Sequence, residues 1–307
     1  MKILKIDDIN ERLRGDMAAG IHAADAAFEA ELVQVAQRIR DGVGKCPIVL
    51  LSGPSGSGKT TSAQKIERIL DGWGYETHTL SMDNYFKTLN ENEKRLMAEG
   101  AIDLESPDRV DEVLLSSQLE DMIRCRPVEL PRYDFKESRQ EASGEVLCRK
   151  PGEIVIVEGI HALNPAVVRV AEDETVKIYV SVRTRVAAGD HILHPSKIRL
   201  LRRMLRDRNG RGRTPEETIR LFDSVEEGAR RYILPFKHRA DFDIDTFVEY
   251  ELGVYRRFFM EDLRHIHERD DIEEICAVME RALPVAVEQV PEDALIREFI
   301  GRGCFRG

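Results

Sequence analysis

Apolar positions change rhythm several times along the chain, and each change marks an element. From about Ile6 to Gly42 the spacing is helical: Phe28, Leu32, Val35 and Ile39 recur on one face, with acids and arginines between them. Gly42 and Gly44 end that run. Pro47 then leads into Ile48-Val49-Leu50-Leu51, a short uninterrupted apolar stretch bounded by glycine, as expected of a strand buried on both faces. Similar runs cover 77–81, 154–157 and 176–182, with a weaker one from Asp241 to Phe247. Helical spacing fills the intervals, notably over 62–71, 110–124 and 197–208. This alternation predicts an α/β fold with a mostly parallel sheet and helices on both faces. Residues 127–148 break the pattern, with two short β-type pieces around the polar turn Glu141 to Gly144 that predict an antiparallel hairpin outside the main sheet. The tail after Tyr255 is helical in pattern, with Ile272, Ile275, Met279 and Leu283 in phase before Pro284.

With no internal repeat and no low-complexity linker, the chain reads as one domain with decorations. A helical segment over 1–44 packs on the core. The main domain covers 45–255, with a hairpin insert at about 127–150 and a lid at about 197–214. A helical extension covers 256–307. A chain of 307 residues is long enough to bury one large core of this kind.

Composition narrows the partners. Hydrophobic residues make up 42% and charged residues 33%, which is ordinary for a globular protein and excludes a disordered one. The net charge of -10 provides no global basic field, so nucleic acid is not expected as a partner. Positive charge is nevertheless concentrated at Arg199, Arg202, Arg203, Arg206, Arg208, Arg211 and Arg213. A local cationic site in an acidic protein suits a small polyanion. The scattered cysteines (Cys46, Cys125, Cys148, Cys276 and Cys304) have no paired ligand spacing and fit reduced thiols. The N-terminus lacks the pattern of a signal peptide, and no apolar stretch is long enough to span a bilayer. The expectation is a cytoplasmic protein without a membrane partner, with self-association left open.

The chemistry starts at Gly53-Pro54-Ser55-Gly56-Ser57-Gly58-Lys59-Thr60, a complete phosphate-loop pattern between an expected strand and an expected helix, followed by Thr61. Glycines let successive N–H groups turn inward around phosphates, and the helix N-terminus adds its positive end. Lys59 would reach the β- and γ-phosphates, and Thr60 would offer its hydroxyl to Mg²⁺, which makes ATP and Mg²⁺ the expected ligands. Ile154 to Val157 is an apolar strand ending in Glu158, on the rim that the phosphate loop shares in a parallel sheet. Glu158 would hold a metal-bound water or organise an acceptor. After the 77–81 strand comes Asp83, which by chemistry alone is equally a general base or a helix cap.

The ordered set of motifs resembles one family. The phosphate loop, Leu80-Ser81-Met82-Asp83-Asn84-Tyr85-Phe86, Pro131-Arg132-Tyr133-Asp134-Phe135, Val157-Glu158-Gly159-Ile160-His161 and the arginine stretch stand in the order seen in uridine kinases. From about Phe28 onward the chain is similar to the uridine kinase and phosphoribulokinase family. It is most similar to a bacterial nucleoside-kinase-like subgroup that shares Glu249-Tyr250-Glu251-Leu252 and the closing Leu295 to Gly301. The resemblance implies a P-loop fold and an enzyme that passes the γ-phosphate of ATP to a small hydroxyl-bearing acceptor, a nucleoside. It implies Asp83 as general base, Tyr133 against the nucleoside, Arg139 and Arg199 near the acceptor, and Asp241 by the adenine. It also implies Arg206, Arg211 and Arg213 as lid residues over the phosphates. Arg202, Arg203 and Arg208 stay open between function and a solvated helix face.

Some positions depart from the family pattern. Glu105, with Asp103 as second candidate, stands where uridine kinases place an acid on the ribose hydroxyls. Lys136, Glu137 and Ser138 fill the stretch that otherwise holds a base-contacting histidine, and Glu217 stands near the position of a base-contacting glutamine. His161 is read as a structural hydrogen-bonder. Other readings are a kinase of a sugar phosphate or a pantothenate-like alcohol, or a nucleotide-binding regulator without catalysis. Convergence of Arg139 and Arg199 would favour the sugar phosphate; the set Lys59, Thr60, Asp83 and Glu158 stands against the regulator.

Overall fold

A computed structural model describes residues 2–99, 102–266 and 270–304. Its strands are β1 (Ile3–Lys5), β2 (Ile48–Ser52), β3 (Thr77–Ser81), β4 (Val128–Asp134), β5 (Arg139–Leu147), β6 (Ile154–Glu158), β7 (Thr175–Ser181), β8 (Arg185–Ala188), β9 (His191–Leu193) and β10 (Phe242–Asp245). The helices are α1 (Ile6–Gly15), α2 (Met17–Gly42), α3 (Lys59–Gly72), α4 (Glu91–Ala98), α5 (Glu112–Ile123), α6 (Pro195–Arg211), α7 (Pro215–Tyr232), α8 (Glu251–Arg264), α9 (Asp270–Arg281) and α10 (Arg297–Ile300).

Five strands form one parallel sheet in the order β10-β7-β2-β6-β3. Alternate residues of each strand enter opposite cores. Val49, Leu51, Ile154 and Ile156 pack with α2, α3 and α6, whereas Ile48, Leu50, Val155 and Val157 pack with Leu115, Leu119 and Met122 of α5. Helices covering both faces explain why these strands read as unbroken apolar runs. All strands end on the same rim, so β2, β3 and β6 deliver the phosphate loop, Asp83 and Glu158 to one place.

The structure differs from the sequence reading at several places. The single helix over 6–42 is two helices. Asp16 adopts an extended backbone (φ -147°) and its carboxylate accepts the Ala19 N–H at 3.0 Å, capping α2 where α1 has ended. A second sheet, β1-β8-β9, was not anticipated; its strands are three or four residues long, too short for a period to register. The hairpin exists, but its turn lies at 135–138 rather than 141–144. Asp134 accepts the N–H groups of Lys136 (2.9 Å) and Glu137 (3.2 Å), Ser138 takes φ 51°, and the expected turn residues instead lie in β5 opposite an irregularity at Glu129/Pro131. Finally, α6 runs past the helical spacing expected over 197–208, through Asn209 and Gly210 to Arg211, before Gly212 (φ 63°) ends it.

α8 begins at Glu251, so the boundary expected after residue 255 falls inside a helix. α9 buries Ile272, Ile275 and Met279; residues 267–269 and 305–307 of the expected helical extension lie outside the described residues. No helix among the described residues is long and apolar enough to cross a membrane.

Candidate active site

The phosphate loop is held from outside. Arg199 donates from Nε to the Ser55 carbonyl (3.0 Å), Arg202 from Nη1 to the Gly56 carbonyl (3.3 Å), and Thr246 from Oγ1 to the Ser57 carbonyl (2.7 Å). With three successive carbonyls turned outward, the N–H groups face inward, the geometry of an anion cradle. Gly53 is required by contact, since a Cβ there would lie 1.9 Å from the Val180 carbonyl oxygen. Ser57 Oγ is buried without a hydrogen-bond partner.

Beside the loop lies a cavity of about 400 Å³, lined among others by Lys59, Thr60, Asp83, Glu105, Tyr133, Glu158, Arg203, Arg206, Arg211 and Arg213. At the end of β3 the cap is supplied by Ser81 rather than Asp83. Ser81 Oγ accepts the Asp83 N–H (3.4 Å) and caps the short turn Met82–Tyr85, leaving the Asp83 carboxylate on the cavity. Although that side chain is open to the cavity's solvent, the surrounding walls desolvate it and raise its pKa above the ordinary range; Lys59, Arg206 and Arg211 pull the other way. Glu158 is buried and accepts from Ser81 Oγ at 2.9 Å. Burial pushes its carboxyl up to about 7, against the pull of Lys59. Burial also lowers the Lys59 pKa, with Glu158 opposing, and the ammonium donates to the Pro54 carbonyl at 3.5 Å.

The cations share one buried counter-ion that sequence reasoning missed. Asp207 is fully buried; its carboxylate holds Arg211 at 2.9 Å and Arg213 at 3.3 Å and lies 3.6 Å from Arg203. Arg203 and Arg206 both donate to Ser55 Oγ, at 3.0 and 2.9 Å. Burial pushes Arg203 down to about 10, and burial and the nearby Arg206 lower Arg211. Such crowding leaves the wall short of negative charge, which a polyphosphate would supply. The signal was available: Asp207 is the acid lying i+4 from Arg203 and i−4 from Arg211.

On the acceptor side the structure separates the two candidate acids. Asp103 is turned to the loop itself, where its Oδ1 accepts the Glu105 N–H at 3.0 Å. Glu105 faces the cavity with a buried Oε2 that has no partner; burial raises its pKa, opposed first by Arg203. Gly228 of α7 permits that loop to approach, since a Cβ there would sit 2.4 Å from Glu105 Cβ. Tyr133 lines the cavity in an edge-to-face cluster with Phe86 and Phe135, at centroid distances of 5.7 and 5.0 Å. Arg109 lies over Phe86 and donates to the Tyr133 hydroxyl at 3.3 Å. Phe86 and Phe135 close two of the sequence motifs but carried no assigned role there, and Arg109 was not singled out. His161 is buried and pushed down to about 4 by desolvation; its ring nitrogens face the Glu105 and Tyr232 carbonyls without reaching hydrogen-bond geometry.

Several expected site residues are not brought to the cavity. Arg139 pairs with Glu141 on the exposed hairpin (3.1 Å), and Arg199 is buried behind the loop with Glu226. Asp241 precedes β10, at the end of the sheet away from the loop, and accepts the Lys177 N–H at 2.7 Å. Glu217 closes a capping box with Thr214 at the start of α7 and does not line the cavity. Gly53, Gly56, Ser57, Gly58 and Thr61 build the loop and helix start without lining the cavity.

Comparison with known proteins identifies the family. Residues 48–252 match the model of the phosphoribulokinase / uridine kinase family. The chain belongs to that family. It is 32% identical over 195 residues to a uridine kinase of Borreliella burgdorferi, and 34% identical over 197 residues to one of Staphylococcus epidermidis. Each alignment covers 63% of this chain and 84% of the relative. A solved D-glycerate 3-kinase from Cryptococcus neoformans aligns over 88% of this chain and 89% of its own, at 17% identity and a TM-score of 0.34. The chain is an ATP-dependent kinase with a P-loop fold. Among the described residues no group of three His, Cys, Asp or Glu side chains gathers as a metal site. Thr60 and Glu158, the two residues expected at Mg²⁺, both line the cavity, and a hydroxyl with a carboxylate is the oxygen donor chemistry that Mg²⁺ takes.

Proposed function

We propose that this kinase transfers the γ-phosphate of ATP to the 5′-hydroxyl of a nucleoside, with Asp83 accepting the hydroxyl proton. The observation that carries the reading is the Asp83 carboxylate, uncommitted to its own turn and open to the cavity that Lys59 and Glu158 also line. A base with a raised pKa accepts a proton more readily. Lys59, Arg206 and Arg211 surround the path of the phosphoryl group and neutralise its charge as it moves, which together with in-line positioning is most of what this chemistry requires. Thr60 and Glu158 would hold Mg²⁺, which would supply positive charge against the phosphates. Glu105, with its unpartnered buried oxygen, would take the ribose hydroxyls. The edge of the Phe86–Tyr133–Phe135 cluster offers the base an aromatic wall that demands no particular base.

That wall explains the base choice we expect. With Lys136, Glu137 and Ser138 where a base-contacting histidine would stand, the site has fewer partners with which to select uracil. A phosphorylated acceptor finds less support, since neither Arg139 nor Arg199 reaches the cavity; Arg109 is the cation that favours it. Initial rates with ribonucleosides, deoxyribonucleosides, ribulose 5-phosphate and pantothenate test the assignment. Ribonucleosides should lead, with loose preference among bases and a loss for deoxyribonucleosides. A clear preference for ribulose 5-phosphate or pantothenate refutes it.

A further inference from the structure

The cavity ends at Thr60, and the next residue is already occupied. Thr61 donates both its backbone N–H (3.2 Å) and its hydroxyl (2.7 Å) to Glu298 Oε2. Thr61 is in the first turn of α3, whose N–H groups have no partner within the helix and favour an anion. In a loop of this type those donors serve the donor's inner phosphates. The anion found there belongs to the chain itself.

Glu298 is held in place by a folded segment. Arg297, mostly buried, donates to the carbonyls of Pro291, Val287 and Gly301 at 3.0–3.3 Å and also to that of Val290. Phe299 lies under the Arg202 guanidinium at 5.2 Å, and its carbonyl accepts from Asn209 at 3.0 Å. Leu295 packs so closely on the loop that a Cβ on Gly58 would lie 3.1 Å from it. This segment lies outside the family match, which ends at residue 252.

We infer that Glu298 is a built-in competitor for the donor nucleotide and sets its affinity. The inference rests on the ATP-dependent reaction already described. Two anions cannot share the Thr61 donors, so a triphosphate binds only when the carboxylate leaves, and apparent affinity falls by the fraction of molecules in which it has left. Charge-assisted hydrogen bonds of this kind are strong enough to shift affinity on the order of tenfold or more.

The test is equilibrium binding of MgATP to the full chain by calorimetry, for wild type, Glu298→Gln and Glu298→Ala, with melting curves to check folding. The alanine variant should bind at least about tenfold tighter, and the glutamine variant, which keeps an acceptor without charge, should fall between. In wild type, MgATP should also speed proteolytic cleavage at Arg297, while uridine should not. Unchanged or weaker ATP binding in both folded variants overturns the inference and leaves the kinase reading standing. No ATP binding by any of the three proteins overturns the donor site itself, and the inference with it.

Discussion

Arg202 and Glu251 form an ion pair in which neither side chain has any solvent exposure. Arg202 donates to Glu251 at 2.8 and 3.0 Å, to the Gly56 carbonyl at 3.3 Å, and to the Thr246 hydroxyl and carbonyl at 3.1 and 2.6 Å. Glu251 also accepts the Val248 N–H at 3.0 Å. The pair thus ties the phosphate loop to the end of the sheet and the start of α8. Burial disfavours the Arg202 charge, but Glu251, Tyr255 and Glu298 together more than offset it and raise its pKa. Glu251→Gln keeps the shape and strands a guanidinium that cannot lose its proton. Removing one partner of a buried pair costs about 3–5 kcal/mol, roughly two to three and a half powers of ten in the unfolding equilibrium. Arg202→Met should cost a similar amount at pH 8, but it strands a group with an escape. A carboxylate can bind a proton, and this becomes easier by about 1.4 kcal/mol for each pH unit of acidification. The folded Met variant therefore takes up a proton relative to its unfolded chain, and its deficit shrinks towards pH 5. The Gln deficit stays nearly constant. Replacing both residues, Arg202→Met with Glu251→Leu, should recover part of the loss because no charge remains buried. Urea unfolding followed by circular dichroism at pH 5, 6.5 and 8 gives all these differences. Losses below about 1 kcal/mol for both single variants at pH 8, or an Arg202→Met deficit that grows as pH falls, would refute the reasoning.

Asp83→Asn preserves shape but cannot take a proton, so kcat should fall by roughly 10²–10⁴ with ATP affinity little changed; a loss of only a few-fold, in steady-state assays, would move the base elsewhere. Glu158 has a raised folded pKa, so its contribution to stability is complete below the ordinary carboxylate range and is lost as pH rises through about 7. Glu158→Gln should therefore melt higher than wild type at pH 8, with the gap closing towards pH 5. A gap independent of pH, or of opposite sign, would show that burial does not govern this group.

The five strands of the sheet, the phosphate loop and the acids at two strand ends were legible in the sequence, and the physical reason is locality. A strand covered on both faces must be apolar at every position, and a loop that cradles phosphate needs its glycines and lysine at fixed spacing. Both constraints act within about ten residues of chain. Caps and turns were harder because competing local bonds decide them: Asp16 breaks a helix that periodicity ran through, and Asp134 moves a hairpin turn six residues. Tertiary structure alone decided what depends on distant partners. It put Glu105 rather than Asp103 on the cavity. It made Arg199, expected near the acceptor, and Arg202, left open between function and a solvated face, into props behind the loop, and it left Asp241 at the far end of its strand. It also gathered three arginines on the buried Asp207 and brought Glu298 to Thr61 across 237 residues of chain. A run of arginines in sequence states only that positive charge is concentrated. Which guanidinium meets a carbonyl, a carboxylate or a ligand is set by the packing of helices on both sides of the sheet, because a charge can be buried only where its partner is already in place.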